Sequence, residues 1–300
     1  MAHRIWLVVI TILSCSVAEA SFLPQQALEH PRPSGRAGSG VPEAEFHDVI
    51  SVLMRAYVDT VRTFGGNLSI RGDWKNDKLN AGATQMGNSW QVVITGGIAR
   101  RPELSRDGLT LILCHELGHH LAGFPFESGG NPFQKTWAAN EGQADYFSSQ
   151  VCARRLWAPE REKNATFRAS VPILVHEHCD TAWDLEEDRD LCYRVNAAVK
   201  SMTETMAGIL GKPAPDFATP DTTLVPKTID AHPPVQCRMD TVFQASLCAE
   251  DFGADIIPGK NVRDGVNSEE AERESARRTC TALSNHVIGL RPRCWFKPRI

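Results

Sequence analysis

The chain has 300 residues and a formal net charge of -4. This charge argues against binding to nucleic acid or to an anionic membrane surface, because both partners select basic proteins. Aromatic residues make up only 7% of the chain, which provides no obvious stacking platform for single-stranded nucleic acid. A chain of this length can bury the core of one large domain.

The N-terminal residues have the pattern of a secretion signal. A short basic start precedes the apolar run 5–13, which is too short to span a bilayer. Ala18-Glu19-Ala20 is typical of a cleavage site, so we expect a signal peptide at 1–20 and an exported protein, periplasmic or extracellular, with no transmembrane helix in the mature chain. A second interpretation stays open, because a lipoprotein-like motif ends at Cys15 and would attach a lipid anchor there.

We expect a flexible lead-in over residues 21–42, which are rich in proline and glycine. A single domain should then occupy residues 43–300. The apolar residues between Phe46 and Val61 recur every three or four positions, which predicts a first helix. Short strands are predicted at 68–71, 80–83 and 91–95.

Three further helices are predicted along the chain. One runs from Ser105, a good N-cap, to about Leu121, and the others cover about 136–157 and 181–210. Short helices and four cysteines follow from about residue 231. These elements predict an α+β fold that is mostly helical, with a small antiparallel sheet.

An even number of cysteines follows Cys15, which in an exported chain predicts four disulfides. Sequence does not fix their pairing, and our expectation is that neighbours along the chain pair. The eight residues are Cys114, Cys152, Cys179, Cys192, Cys237, Cys248, Cys280 and Cys294.

The second predicted helix contains the motif His115-Glu116-Leu117-Gly118-His119. Residues four apart lie on one face of a helix, so both imidazoles can reach one metal ion. The carboxylate of Glu116 lies beside them, where it can accept a proton from a water molecule activated by the metal. The helix is largely apolar, and a buried helix would not carry this set of charges without a partner for them.

Zinc in a catalytic site needs a third protein ligand. Glu141 lies 22 residues after His119, at the start of the next predicted helix, and is our candidate. Asp145, four residues later on the same face, can accept the outer N–H of a ligand histidine and fix its tautomer. The sequence therefore predicts one Zn²⁺ per chain, held by His115, His119 and Glu141.

These two motifs together resemble the gluzincin metallopeptidases, and more narrowly the CAAX prenyl endopeptidase-like family, which has soluble exported members. Three other stretches agree with the resemblance, which covers roughly residues 45–155 and 230–240. They are Asn80-Ala81-Gly82-Ala83, Val92-Val93-Ile94-Thr95-Gly96-Gly97, and His232-Pro233-Pro234 with Arg238 four residues further on. The chain departs from the family at Ala231, where a threonine is usual, and it lacks the membrane helices of many relatives.

The resemblance implies a zincin-like fold and zinc-dependent endopeptidase activity on peptide or protein substrates. It also implies that Glu116 is the catalytic base and that His232 or Arg238 lies near the oxyanion. A substrate backbone would pair with the strand at Asn80 and Ala81, by β-strand addition at a sheet edge.

Two other functions stay open. The chain could bind zinc for structure and act as a non-proteolytic interaction or chaperone-like module of the cell envelope. Alternatively, its peptidase activity could be self-limited, with the loop that carries His232 occupying the open position of the metal.

Overall fold

In a computed structural model of the protein, residues 19–24, 40–128 and 136–300 are described. The proposed lipid-anchor position Cys15, most of the expected signal peptide, and residues 25–39 of the expected lead-in lie outside them. No helix among the described residues is long and apolar enough to cross a membrane.

The fold is α+β, as predicted, with a layer of helices on a small sheet. The helices are α1 (Glu43–Thr63), α2 (Gly96–Ala99), α3 (Arg106–Leu121), α4 (Glu141–Phe147), α5 (Arg154–Trp157), α6 (Arg161–Ala165), α7 (Ile173–Ala182), α8 (Glu186–Leu210), α9 (Val235–Ser246) and α10 (Glu269–Ser275). A π-helical stretch, Ser148–Ala153, joins α4 to α5, and short 3₁₀ turns cover Arg263–Gly265 and Ala282–Ser284.

Four strands form one sheet in the order β1-β3-β4-β2. They are β1 (Glu19–Ser21), β2 (Asn67–Asp73), β3 (Ala81–Met86) and β4 (Ser89–Thr95). The expectation of an antiparallel sheet is wrong for one pairing, because β2 runs parallel to β4, whereas β1–β3 and β3–β4 are antiparallel. β3 and β4 form a hairpin and are therefore antiparallel. β2 pairs with the other side of β4 and runs in the same direction as β4.

Helix α3 lies at the centre of the molecule, between the sheet and α8. Every residue from Asp107 to Leu121 is buried, so this helix has no solvated face. Its start follows the prediction, because the Ser105 side chain accepts a hydrogen bond from the backbone N–H of Gly108. A chain reversal follows at Gly123, whose φ of +72° favours glycine.

Two predicted helices differ from the structure at their boundaries. The helix expected at 136–157 begins only at Glu141, because the Asn140 side chain caps it by accepting from the N–H of Gln143. The stretch expected to be helical from 181 to 210 is divided between α7 and α8. Trp183 lies extended between them, and its indole N–H donates to the carbonyl of Ser246 on α9.

Four disulfides join the eight cysteines. The expected pairs Cys114–Cys152 and Cys179–Cys192 are confirmed. The expectation for the last four is wrong, because the bonds are nested as Cys237–Cys294 and Cys248–Cys280. The chain after α9 therefore folds back, and its end returns to the start of that helix.

Candidate metal centre

The two histidines of the α3 motif face one another. Their Nε2 atoms are 3.2 Å apart, and the rings meet edge to face with centroids separated by 4.8 Å. Both side chains are fully buried. The helical spacing of four residues thus brings two imidazole lone pairs to one point inside the protein.

Helix α4 brings Glu141 to the same point. Its carboxylate oxygens lie 3.3 Å from Nε2 of His115 and 3.6 Å from Nε2 of His119. The approach depends on Gly118, since a Cβ added there would lie 3.0 Å from both the Cα and the carbonyl oxygen of Ala144. The absence of a side chain at Gly118 therefore allows α4 to cross α3 at close range.

The donor set and its spacing fit zinc. Tetrahedral bonds of about 2.0–2.1 Å separate neighbouring ligand atoms by roughly 3.3 Å, which is close to the distances among these three side chains. All three ligand atoms lie within 4.8 Å of one another. A second group of possible ligand residues, around Asp221, depends on Cys237 and Cys294, which are bonded to each other and are not available for a metal.

Neighbouring groups fix the orientation of both histidines. Nδ1 of His119 lies 2.8 Å from the carbonyl oxygen of Ala139, and Nδ1 of His115 lies 2.8 Å from Oδ1 of Asp145. If each Nδ1 carries the proton, each Nε2 offers its lone pair to a cation. Asp145 therefore lies outside the candidate ligand set and against His115, one of its members.

The burial of this cluster shifts its titrations. Burial lowers the pKa of His119 to about 4. Burial also acts to lower the pKa of His115, but the charge and hydrogen bond of Asp145 together with the contact to Glu141 raise that pKa to about 9. For Glu141, burial favours the protonated form, yet its close contact with His115 and the nearby histidine charges hold its pKa well below the usual range.

Glu116 is the most conspicuous polar group in the centre. It is fully buried, and neither of its carboxylate oxygens has a hydrogen-bond partner among the described residues. Burial raises its pKa to about 8, while the charge of His115 and the nearby backbone of Phe22 act in the opposite direction. A buried carboxyl group without partners is costly to keep, and it lies beside the residues that could hold a metal.

Arg238 and His232 approach the cluster from the chain around α9. Arg238 is buried and donates through Nε and Nη2 to the two carboxylate oxygens of Asp145, both at 2.7 Å. Nε2 of His232 lies 3.4 Å from Oε1 of Glu141. Burial lowers the pKa of His232. Every residue that the sequence analysis assigned to the metal or to catalysis is therefore found in one cluster.

The expectation that Asn80 and Ala81 lie at a sheet edge is wrong for the described residues, because β3 lies between β1 and β4. Ala81 begins β3, and Asn80 comes directly before it, with its carbonyl accepting from the N–H of Thr95. The strand that pairs with β3 on the side away from β4 is β1, which belongs to the chain itself.

The contribution of residues 21–24 was not predicted. They were expected to begin a flexible lead-in that buries little, but Phe22 and Leu23 are fully buried, and the Phe22 ring contacts His115 of the candidate metal cluster. The only sequence signal is a pair of large apolar residues at the start of a segment otherwise rich in proline and glycine. An open groove of about 880 Å³ begins next to this segment and is lined by Pro24, Leu210, Pro215, His232 and Val235, among others.

Comparisons of the chain with protein families, with curated proteins and with solved structures each find no match.

Proposed function

We propose that this protein is a zinc-dependent endopeptidase of the gluzincin type, which hydrolyses peptide bonds in exported or unfolded proteins. One observation carries the proposal. Two Nε2 atoms and one carboxylate converge at zinc-like spacing, and an unpartnered buried carboxylate, Glu116, lies on the same helix as the histidines. The likeness of these motifs to the CAAX prenyl endopeptidase-like family supports the same conclusion.

His115, His119 and Glu141 would hold one zinc ion per chain. When bound, zinc supplies Lewis-acid chemistry, because it polarises a carbonyl group and makes water more acidic. Asp145 accepts from Nδ1 of His115 and keeps that ring in the orientation that a ligand needs. Its ion pair with Arg238 holds Asp145 ionised, since the charges of Arg238 and His115 lower its pKa despite its burial.

Glu116 is the proposed general base. It removes a proton from the water that attacks the peptide carbonyl, and it returns that proton to the leaving amine. Burial raises its pKa to about 8, and the positive charge of a nearby cation would act to lower it again. A carboxyl group poised in this way can both accept and donate a proton near neutral pH.

His232 and Arg238 are the proposed donors to the carbonyl oxygen on which negative charge develops. Both already lie within hydrogen-bond distance of backbone carbonyl oxygens beside the cluster, at 2.6 Å in each case. Fixed donors of this kind, inside a site that excludes water, stabilise an oxyanion without having to reorganise during the reaction.

An exported location agrees with the chain's disulfides, which persist in oxidising compartments. The rival function, a zinc-stabilised interaction or chaperone-like module, has no use for Glu116, whose burial without partners only costs free energy.

Hydrolysis of unfolded casein separates the two functions. The purified chain should cleave casein, lose this activity in the presence of a zinc chelator, and regain it when zinc is added back. A zinc-containing chain that prevents casein aggregation but never cleaves it would support the rival function and refute the peptidase.

A further inference from the structure

The metal cluster is closed to solvent. His115, Glu116 and His119 are 0% exposed, and Glu141 is 2% exposed. An endopeptidase must admit an extended polypeptide to such a cluster, so the identity of the covering residues matters. Among them are residues 21–24, which we call the N-terminal segment and which remain in the chain after the expected cleavage behind Ala20.

The N-terminal segment is bound by the sheet edge as an added strand. In β1, Ser21 is opposite Gly82 in antiparallel register, and Ala20, the last residue of the expected signal peptide, is opposite Ala83. The N–H of Phe22 continues this pairing by donating to the carbonyl of Ala81 at 3.1 Å. Strand addition at an edge is a common way to bind an extended peptide through its backbone.

The carbonyl groups of the segment engage the two donors of the proposed active site. Nε2 of His232 donates to the Ser21 carbonyl at 2.6 Å. Nη1 of Arg238 donates to the Phe22 carbonyl at 2.6 Å. A neutral His232 can form this bond, because its Nε2 then carries the proton. The backbone of this segment is thus held by the same groups that the proposed mechanism assigns to a substrate carbonyl.

The side chain of Phe22 fills a pocket formed by active-site residues. Its ring meets the ring of His115 edge to face, with centroids 5.5 Å apart. The guanidinium carbon of Arg238 lies 4.7 Å from the centre of the Phe22 ring, a cation–π distance. Phe22 is fully buried, so the pocket encloses an aromatic side chain completely.

We propose that the N-terminal segment occupies the peptide-binding cleft as a built-in competitor, and that substrates bind the same cleft with an aromatic residue in the Phe22 pocket. This inference rests on the proposed function. Hydrolysis then requires the segment to leave. The open groove is lined by Pro24 of the segment and by His232 and Arg238, so it adjoins both the segment and the two donors.

The first test measures hydrolysis of a fluorogenic peptide that contains one phenylalanine. Phe22→Asp places a charge in the closed pocket and should release the segment, so kcat/KM should rise at least tenfold over that of the zinc-loaded wild type. Phe22→Ala, which removes the ring and keeps the backbone, should shift in the same direction by a smaller factor. Phe252→Asp, at a buried phenylalanine that packs on Phe147, is the control for general loosening and should give no rise.

The second test measures binding and needs no hydrolysis. A labelled, capped hexapeptide with the sequence of residues 19–24 is titrated into zinc-loaded chains that all carry Glu116→Gln, which keeps the peptide intact. Chains that carry Phe22→Asp or Phe22→Ala in addition to Glu116→Gln should bind the peptide at least tenfold more tightly than the chain that keeps Phe22. The same peptide with aspartate in place of phenylalanine should not bind.

The outcomes separate the two proposals. Binding that matches the expected pattern, with no hydrolysis by any variant, would refute the peptidase and leave the segment as the occupant of the cleft. Equal binding to the chain with Phe22 and to the Phe22 variants would overturn the inference even if casein is cleaved. Binding to none of these chains would overturn it as well. A kcat/KM that is unchanged in both Phe22 variants would also overturn it.

Discussion

Gly118 of α3 lies against Ala144 of α4 so closely that a Cβ at Gly118 would be 3.0 Å from the Ala144 Cα. This crossing sets the distance between the two histidines on one helix and Glu141 on the other. The atoms in the way belong to the backbone, so they cannot rotate aside as a flexible side chain would.

Gly118→Ala should therefore separate the two helices. We expect unfolding free energy to fall by about 1–3 kcal/mol, as for other overpacked cores, and zinc to bind at least tenfold more weakly. Gly208→Ala is the matched control, because Gly208 lies within α8 and the nearest atom that a Cβ would meet is the end of the Arg101 side chain. That variant should be neutral or stabilising, and equal zinc affinity in both variants would contradict the role of the crossing.

Asp145→Asn tests whether Asp145 holds His115 in the orientation that metal binding needs. The substitution weakens acceptance from Nδ1 of His115 and removes the closest charge partner of the buried Arg238. Loss of such a supporting group typically costs 10–100-fold in metal affinity, so we expect a decrease of about that size. Isothermal titration of the folded variant with zinc measures it.

The matched control for Asp145 is Asp107, which pairs with the buried Arg194 at 2.7 Å. Asp107→Asn should also destabilise the fold, by an amount on the order of 3 kcal/mol for a broken buried pair. Its zinc affinity should remain that of the wild type. If both variants lost zinc equally, the effect of Asp145 would be one of general stability.

The pH dependence of stability should reveal the burial of Glu116. Its pKa is raised from 4.5 to about 8, so between these values the unfolded chain binds fewer protons than the folded one. The stability of the metal-free wild type therefore receives a decreasing contribution from this group as pH rises through that window. Glu116→Gln does not titrate, so its advantage over wild type should grow from pH 4.5 to pH 8.

Thermal unfolding of the two metal-free proteins across this range measures the difference. Because the other groups titrate in both proteins, their contributions largely cancel in the comparison. We expect a difference on the order of a few kcal/mol at the upper end of the range. A difference that stays constant with pH would mean that Glu116 is not held protonated in the folded chain.

The sequence predicted the parts of the site that depend on local geometry. The four-residue spacing of His115 and His119 follows from helical periodicity, and Glu141 was found because the next helix has to pack on the first. The pairing of Cys237 with Cys294 was missed, because the two cysteines are 57 positions apart and the bond depends on how the chain between them folds back. Phe22 was missed for a related reason, since its pocket is built from α3, α9 and the sheet edge, which are distant in sequence.

The boundary errors have a similar physical origin. The continuous helix expected at 181–210 is interrupted where the Trp183 indole finds a partner on α9. The parallel pairing of β2 with β4 likewise depends on tertiary contacts and cannot be read from a local sequence pattern. Local periodicity was sufficient for the type of the longest helices and of β2, β3 and β4, whereas β1 and the short helices α2 and α6 were not predicted. Long-range contacts decided the ends and partners of these elements.

The most direct test of the account measures bound zinc and casein hydrolysis together in wild type, Glu116→Gln and Glu141→Ala. We predict one zinc per chain in wild type and in Glu116→Gln, with at least about a hundredfold lower rate in the latter, as expected for loss of a general base. Glu141→Ala should lose the metal. A full equivalent of zinc in Glu141→Ala, or wild-type cleavage by Glu116→Gln, would contradict the proposed centre.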